Sequence, residues 1–229
     1  MLLIIKKEFH LNNLQSFLKR YNTKLYKKND VILQQDVEPG HAFIVKKGVV
    51  KTYNITSKGE EKPIGFGLRN EIFPIGWVFG KIFKSQYYYE ALADSEVYTV
   101  PKDDLVSYLR NTPEAMLQLL NRCVGDTLNN QMRINALEQS KASEKVLHTM
   151  HYLALCFGRD LKQDIVEIPL PLTQQDVANF TGLTRETISV ELKKLSHQKI
   201  VLYRNRCYVV LTDRLNEILD DGYEYQLVR

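Results

Sequence analysis

From Phe9 to Tyr21, apolar residues fall at Leu11, Leu14, Phe17, Leu18 and Tyr21. That is helical spacing, and it predicts a short opening helix. From Tyr26 the rhythm changes. Val31-Ile32-Leu33, Ala42-Phe43-Ile44-Val45, Val49-Val50-Lys51-Thr52-Tyr53 and Val97-Tyr98-Thr99-Val100 are short β-branched or aromatic runs. Turn signals such as Lys28-Asn29-Asp30, Glu38-Pro39-Gly40, Lys47-Gly48, Ser57-Lys58-Gly59-Glu60 and Leu68-Arg69-Asn70-Glu71 separate them. Regularly spaced short strands predict a β-barrel or sandwich.

Pro101 opens a helical zone. Thr112-Pro113-Glu114 resembles an N-cap followed by proline at the first helical position. Beyond it Met116, Leu120, Cys123/Val124, Thr127/Leu128, Gln131, Ile134 and Leu137 recur at steps of three and four. A helix this long is hard to bury within a monomer. Leu120, Val124, Thr127, Leu128, Gln131 and Ile134 suit one half of a two-helix dimer seam. The alternative is a core helix packed on its own barrel. A further helix is expected over Ala142–Phe157, ended by Gly158-Arg159-Asp160. Ser140-Lys141-Ala142-Ser143 is the least apolar stretch of the region and marks a boundary. The chain therefore divides into 1–111, 112–141 and 142–229.

The pattern from Leu172 to Leu202 carries the chemistry. Thr173 starts a helix with Asp176 at capping-box spacing, and Val177, Ala178 and Phe180 follow. Thr181-Gly182-Leu183 reads as a tight turn with glycine where positive φ is needed. Thr184 N-caps a second helix whose buried stripe is Ile188, Leu192 and Leu195. Arg185, Glu186, Ser189 and Lys193 face the other way. This is a helix-turn-helix. Ile200–Tyr203, Arg204-Asn205-Arg206 and Cys207–Leu211 then read as a β-hairpin wing with a basic tip suited to phosphate. An arginine can bond guanine O6 and N7, and a glutamate can accept from cytosine N4. Arg185 and Glu186 sit in the first turn, where a recognition helix reaches base edges. A surface salt bridge between the two is the bland alternative.

Charge narrows how such a domain can bind. The 229 residues carry a net charge of +4. Residues 1–141 hold 20 Lys/Arg against 15 Asp/Glu, and the rest hold 11 against 12. The C-terminal part is not broadly basic, so DNA binding must rest on a local patch. No apolar run approaches the ~18 residues of a membrane span. The apolar Met1–Ile5 is too short for a signal core, so no membrane partner and a cytoplasmic location are expected. Cys123, Cys156 and Cys207 are scattered and form no CxxC pair, which predicts reduced thiols.

Leu172-Thr173-Gln174-Gln175-Asp176-Val177-Ala178 and Gly182-Leu183-Thr184-Arg185-Glu186-Thr187-Ile188-Ser189 resemble the helix-turn-helix signature of the CRP/FNR family of bacterial regulators. The spacing around Pro39-Gly40, Phe43-Ile44-Val45 and Lys47-Gly48 is similar to that family's cyclic-nucleotide-binding-type sensor. The resemblance implies an α+β architecture: an N-terminal β-barrel or jelly-roll sensor domain, a long dimerisation helix and a C-terminal winged helix-turn-helix. It implies a homodimer reading an inverted repeat in duplex DNA, with RNA polymerase as a partner. Base readers would be Arg185, Glu186, Ser189 and Val190. Phosphate contacts would fall to Thr173, Gln174, Gln175, Thr184, Thr187, Lys193, Arg204 and Arg206. Val190 stands where cyclic-AMP-type members carry another base-reading arginine. A valine can touch a thymine methyl but cannot bond guanine.

The sensor region departs further. Cyclic-AMP binders carry a Gly-Glu-Leu pattern and then an Arg-Ser pair whose arginine neutralises the cyclic phosphate. The corresponding stretch here runs from Asn70-Glu71-Ile72 to Gln86–Ala91, and no arginine lies between Arg69 and Arg110. A buried phosphate without a cation is costly. Lys81 or Lys84 is a candidate substitute, but nothing in the pattern compels it. No cysteine precedes Cys123, which removes an iron–sulfur cluster. His10 and His41 are lone histidines, and His148 and His151 lack a third ligand, so no metal or other cofactor is expected. Phe73, Trp77, Phe79, Tyr87, Tyr88 and Tyr89 either line a site for a small apolar effector or fill the barrel core. No clustered metal ligands, nucleophile–base pair or phosphate loop points to an enzyme. The rival reading is a nucleotide-sensing module that binds a protein partner instead of DNA.

Overall fold

A computed structural model describes residues 12–219. Leu11 and the other residues before Asn12, His10 and Met1–Ile5 among them, lie outside the described residues, and so does the expected helical stretch from Phe9 to Leu11. Among the described residues, twelve strands and eight helices form two compact units, one ending at Arg122 and the other beginning at Cys123.

The N-terminal unit opens with α1 (Asn12–Leu18), followed by β1 (Thr23–Tyr26), β2 (Val31–Leu33), β3 (Ala42–Lys47), β4 (Val50–Ile55), β5 (Glu61–Gly67) and β6 (Ile72–Phe73). Then come α2 (Ile75–Val78), β7 (Tyr88–Ala91), β8 (Ser95–Val100), α3 (Lys102–Asn111) and the first part of α4 (Pro113–Glu138). The strands form two antiparallel four-stranded sheets, ordered β1-β8-β3-β6 and β2-β7-β4-β5, a jelly-roll arrangement rather than a closed barrel. Strand alternation sends Phe43, Val45, Val50, Phe73, Ala91 and Val97 into one core. Ala42, Ile44, Tyr98 and Val100 belong to a second core with Leu14, Leu18, Trp77, Leu105 and Leu109 from the helices. The opening helix stops at Leu18, short of the expected Tyr21, whose backbone N–H turns back to the Leu18 carbonyl at 3.0 Å.

The C-terminal unit takes the rest of α4, then α5 (Ala142–Phe157), β9 (Arg159–Lys162), β10 (Ile165–Ile168), α6 (Gln174–Thr181), α7 (Arg185–His197), β11 (Val201–Arg204), β12 (Cys207–Leu211) and α8 (Thr212–Leu219). Its sheet runs β11-β12-β10-β9, all antiparallel. The mixed α/β architecture agrees with the sequence expectation of a β sensor domain, a long helix and a winged helix-turn-helix. The hairpin β9–β10 was not expected, nor was α8.

Helix α4 presents two faces. Ala115, Leu119, Met132 and Ala136 are buried, whereas Leu117, Leu120, Val124, Leu128 and Ile134 are exposed. Thr127 and Gln131 are exposed on the same side. An uncovered apolar stripe at alternating steps of three and four is a coiled-coil seam pattern. Among the described residues no helix is long and apolar enough to cross a membrane.

Candidate nucleic-acid interface

Local chemistry fixes the two short helices. Thr173 accepts from the Asp176 N–H at 3.1 Å, and the Asp176 carboxylate accepts from the Thr173 N–H at 2.8 Å, a reciprocal capping box. Gly182 closes α6 at φ 71°, ψ 18°, in the left-handed region that side chains resist. Thr184 caps α7 by accepting from the Thr187 N–H at 3.2 Å. Ile188, Leu192 and Leu195 are buried, so helical periodicity turns Arg185, Glu186, Ser189, Val190 and Lys193 outward, all exposed.

The wing completes the surface. Register pairs Tyr203 with Tyr208 and Arg204 with Cys207 across a two-residue turn. Asn205 and Arg206 both have positive φ, 51° and 64°, the signature of a type I′ hairpin turn. A groove of about 720 Å³ lies between helices and wing, lined by Thr173, Gln174, Gln175, Arg185, Ser189, Lys193 and Tyr203, among others. It thus brings together six of the twelve residues expected to touch DNA. Glu186 and Val190 are exposed on α7 outside its lining, and Thr184 and Thr187 bond to each other through their hydroxyls at 3.0 Å. Arg204 and Arg206 are exposed at the wing tip. Arg185 and Glu186 form no ion pair, so the surface-salt-bridge account of that pair finds no contact here. Tyr203 is a residue the sequence reading missed. It is 55% exposed and its ring lies 4.9 Å from that of buried Tyr208. An outward aromatic on a wing strand facing the recognition helix was the available signal.

The six sensor aromatics do not line one cavity. Phe73 stacks between Phe43 and Tyr89 in the inter-sheet core, at 5.4 and 4.5 Å between ring centroids. Trp77 sits in the helix-side core under the Lys102 ammonium. Tyr88 points the opposite way from Tyr89, as strand alternation requires, and stacks on Tyr53. Phe79 is exposed and Tyr87 half-buried. The polar groups nearby are already engaged. Lys51 bonds Glu61 at 2.8 Å and Glu90 at 3.1 Å, and Arg122 pairs with the Glu71 carboxylate and the Asn70 carbonyl. Lys81 and Lys84 are exposed. With no uncommitted buried cation among these groups, they do not fit a cyclic phosphate.

Residues 23–112 match the family described as the cyclic nucleotide-binding domain, and residues 144–218 match the Crp-like helix-turn-helix domain. The chain is 25% identical over 211 residues to the regulatory protein HlyX of Actinobacillus pleuropneumoniae, covering 92% of this chain and 85% of that one. It is 25% identical over 212 residues to the fumarate and nitrate reduction regulatory protein of Yersinia pestis, covering 93% and 82%. Among solved structures, FixK2 from Bradyrhizobium japonicum aligns with a TM-score of 0.70 at 22% identity, over 86% of this chain and 96% of that one. CooA from Carboxydothermus hydrogenoformans aligns at 0.72 and 21%, over 91% and 94%. At these identities the structures speak to the fold alone.

Proposed function

The chain belongs to the CRP/FNR family of DNA-binding transcription regulators, which are not enzymes, and from that premise we propose that it works as a homodimer on an inverted-repeat operator. In this reading residues 1–111 form the sensor, 112–141 the dimer helix and 142–229 the DNA-binding domain. The observation that carries it is Arg185: exposed, in no ion pair with another described residue, in the first turn of α7 and lining the groove. That is where an arginine reaches guanine in the major groove. Glu186 reads the paired cytosine, and Ser189 and Val190 meet the next bases. Thr173, Gln174, Gln175, Thr184, Thr187, Lys193, Arg204 and Arg206 contact phosphates and fix the register. Leu120, Val124, Thr127, Leu128, Gln131 and Ile134 meet their copies in the partner subunit, which covers the exposed stripe of α4. RNA polymerase is the further protein partner, and a small effector other than cyclic AMP sets the activity.

A second reading of the sensor is favoured by one observation. Phe73, Trp77 and Tyr89 are packed within the two cores, which supports a filled sensor and a dimer competent without an effector. Selection from a random duplex pool by the purified full chain, with no ligand added, tests both. An inverted repeat with G·C pairs one helical turn apart supports the regulator and the filled sensor together. Recovery only after adding a cell-metabolite extract supports an effector. Recovery under neither condition defeats the operator reading.

A further inference from the structure

Helix α4 ends at Glu138 and α5 begins at Ala142. Between them Lys141 takes an extended backbone, φ −90° and ψ 138°, so the helix is broken and the joint is a natural hinge. One side chain reaches past this joint. Arg133 of α4 lays its guanidinium 4.3 Å from the ring centroid of Phe180 in α6. Phe180 is buried and stacks on Tyr152 of α5, with centroids 6.0 Å apart and planes 21° from parallel. Tyr152 in turn meets Phe157 edge-on at 6.1 Å. A cation and two rings from three different helices therefore form one column. Arg133 is half-buried, and burial lowers its pKa below the ordinary arginine value, so the guanidinium is partly desolvated. A desolvated guanidinium over a ring face binds it more strongly than an exposed one.

The consequence follows from rigidity further along. Helices α6 and α7 are locked together by the Gly182 turn, the Thr184 cap and buried Ile188 and Leu192. Whatever sets α6 against α4 therefore also sets where Arg185 points. In a dimer joined through α4, a small change in that angle moves the two Arg185 side chains off the ~34 Å repeat of the groove. We propose that Arg133 is a positioning residue: its stack on Phe180 holds the helix-turn-helix at one angle to the long helix and so selects the half-site spacing the dimer accepts. This rests on the homodimer and inverted-repeat reading above.

The test measures Kd of the full chain for its selected operator and for two versions with the half-sites moved one base pair apart or together. Arg133→Met keeps the apolar stem and removes the cation; Phe180→Leu keeps the core apolar and removes the π face. Each should weaken the correct spacing about tenfold and leave the shifted operators nearly unchanged, and the double variant should add little more. Arg133→Lys should restore most of the preference. Equal weakening at all three spacings, or additive losses in the double variant, makes the contact merely structural and overturns the inference. A wild-type protein that prefers one spacing while both variants keep that preference overturns it alone. A wild-type protein indifferent to spacing overturns the inverted-repeat reading as well.

Discussion

The two units handle charge in opposite ways. In the N-terminal unit the buried cations are committed: Lys51 to Glu61 and Glu90, Arg122 to Glu71 and the Asn70 carbonyl. In the C-terminal unit Arg185, Lys193, Arg204 and Arg206 are exposed, and none joins an ion pair with another described residue. A buried charge without a partner is strongly unfavourable, whereas an exposed one keeps its hydration and stays available to an outside anion. The first unit uses its charges to hold its own sheets. The second leaves them free for a polyanion. The contrast also explains how a domain with no excess of cations binds DNA: what counts is which cations are uncommitted, not how many there are.

The sharpest way to break the contrast is Lys51→Met. It leaves Glu90, whose side chain is 11% exposed, holding only the Tyr53 hydroxyl at 2.9 Å. Removing one partner of a buried pair costs about 3–5 kcal/mol. Trp77, the chain's one tryptophan, lies in this unit, so its fluorescence during urea unfolding reports the loss. Adding Glu61→Gln and Glu90→Gln should recover a large part, since the uncompensated anions go. A loss below about 1 kcal/mol would mean that the network is solvated.

The C-terminal unit has a half-buried titrating group of its own. Burial, reinforced by His148, depresses the His151 pKa to about 4. The folded value lies below the unfolded value of about 6.5, so the folded state resists protonation. Stability is full above pH 6.5 and falls as pH drops toward 4, by at most about 3 kcal/mol. Helix dichroism in urea at pH 7 and pH 4.5 measures this. His151→Gln should flatten the slope; an unchanged slope defeats the assignment.

How much of this was legible follows from the range of each interaction. The helix-turn-helix was readable because its determinants are local: Thr173 caps Asp176, Gly182 turns, and Thr184 caps Thr187. The sensor strands were partly readable from their apolar runs. Tyr87–Tyr89 reads in sequence as pocket aromatics, because the identity of Tyr88–Ala91 as β7 depends on pairing with β2 and β4, far away in sequence. β9 carried no apolar signal, since Arg159–Lys162 is exposed throughout and held by β10. The Arg122–Glu71 pair joins positions 51 residues apart, a distance over which no periodicity speaks.

The smaller effects divide the recognition surface itself. Arg185→Ala should cost about 1–3 kcal/mol on the selected operator, at one symmetric pair of positions, with random duplex unaffected. Equal weakening on both would make Arg185 a phosphate contact. Arg204→Ala should do the reverse. It should weaken operator and random duplex alike, by under about 1 kcal/mol, and lower the salt slope by about one per protomer. Arg206 allows a cleaner separation, because its φ of 64° is a conformation that glycine adopts more readily. Arg206→Gly removes the cation while relieving the backbone. DNA affinity should fall as for Arg204, while stability to urea holds or rises. A variant that loses both together would show the arginine holding the wing rather than the phosphate, and the wing charges would then belong with those of the N-terminal unit.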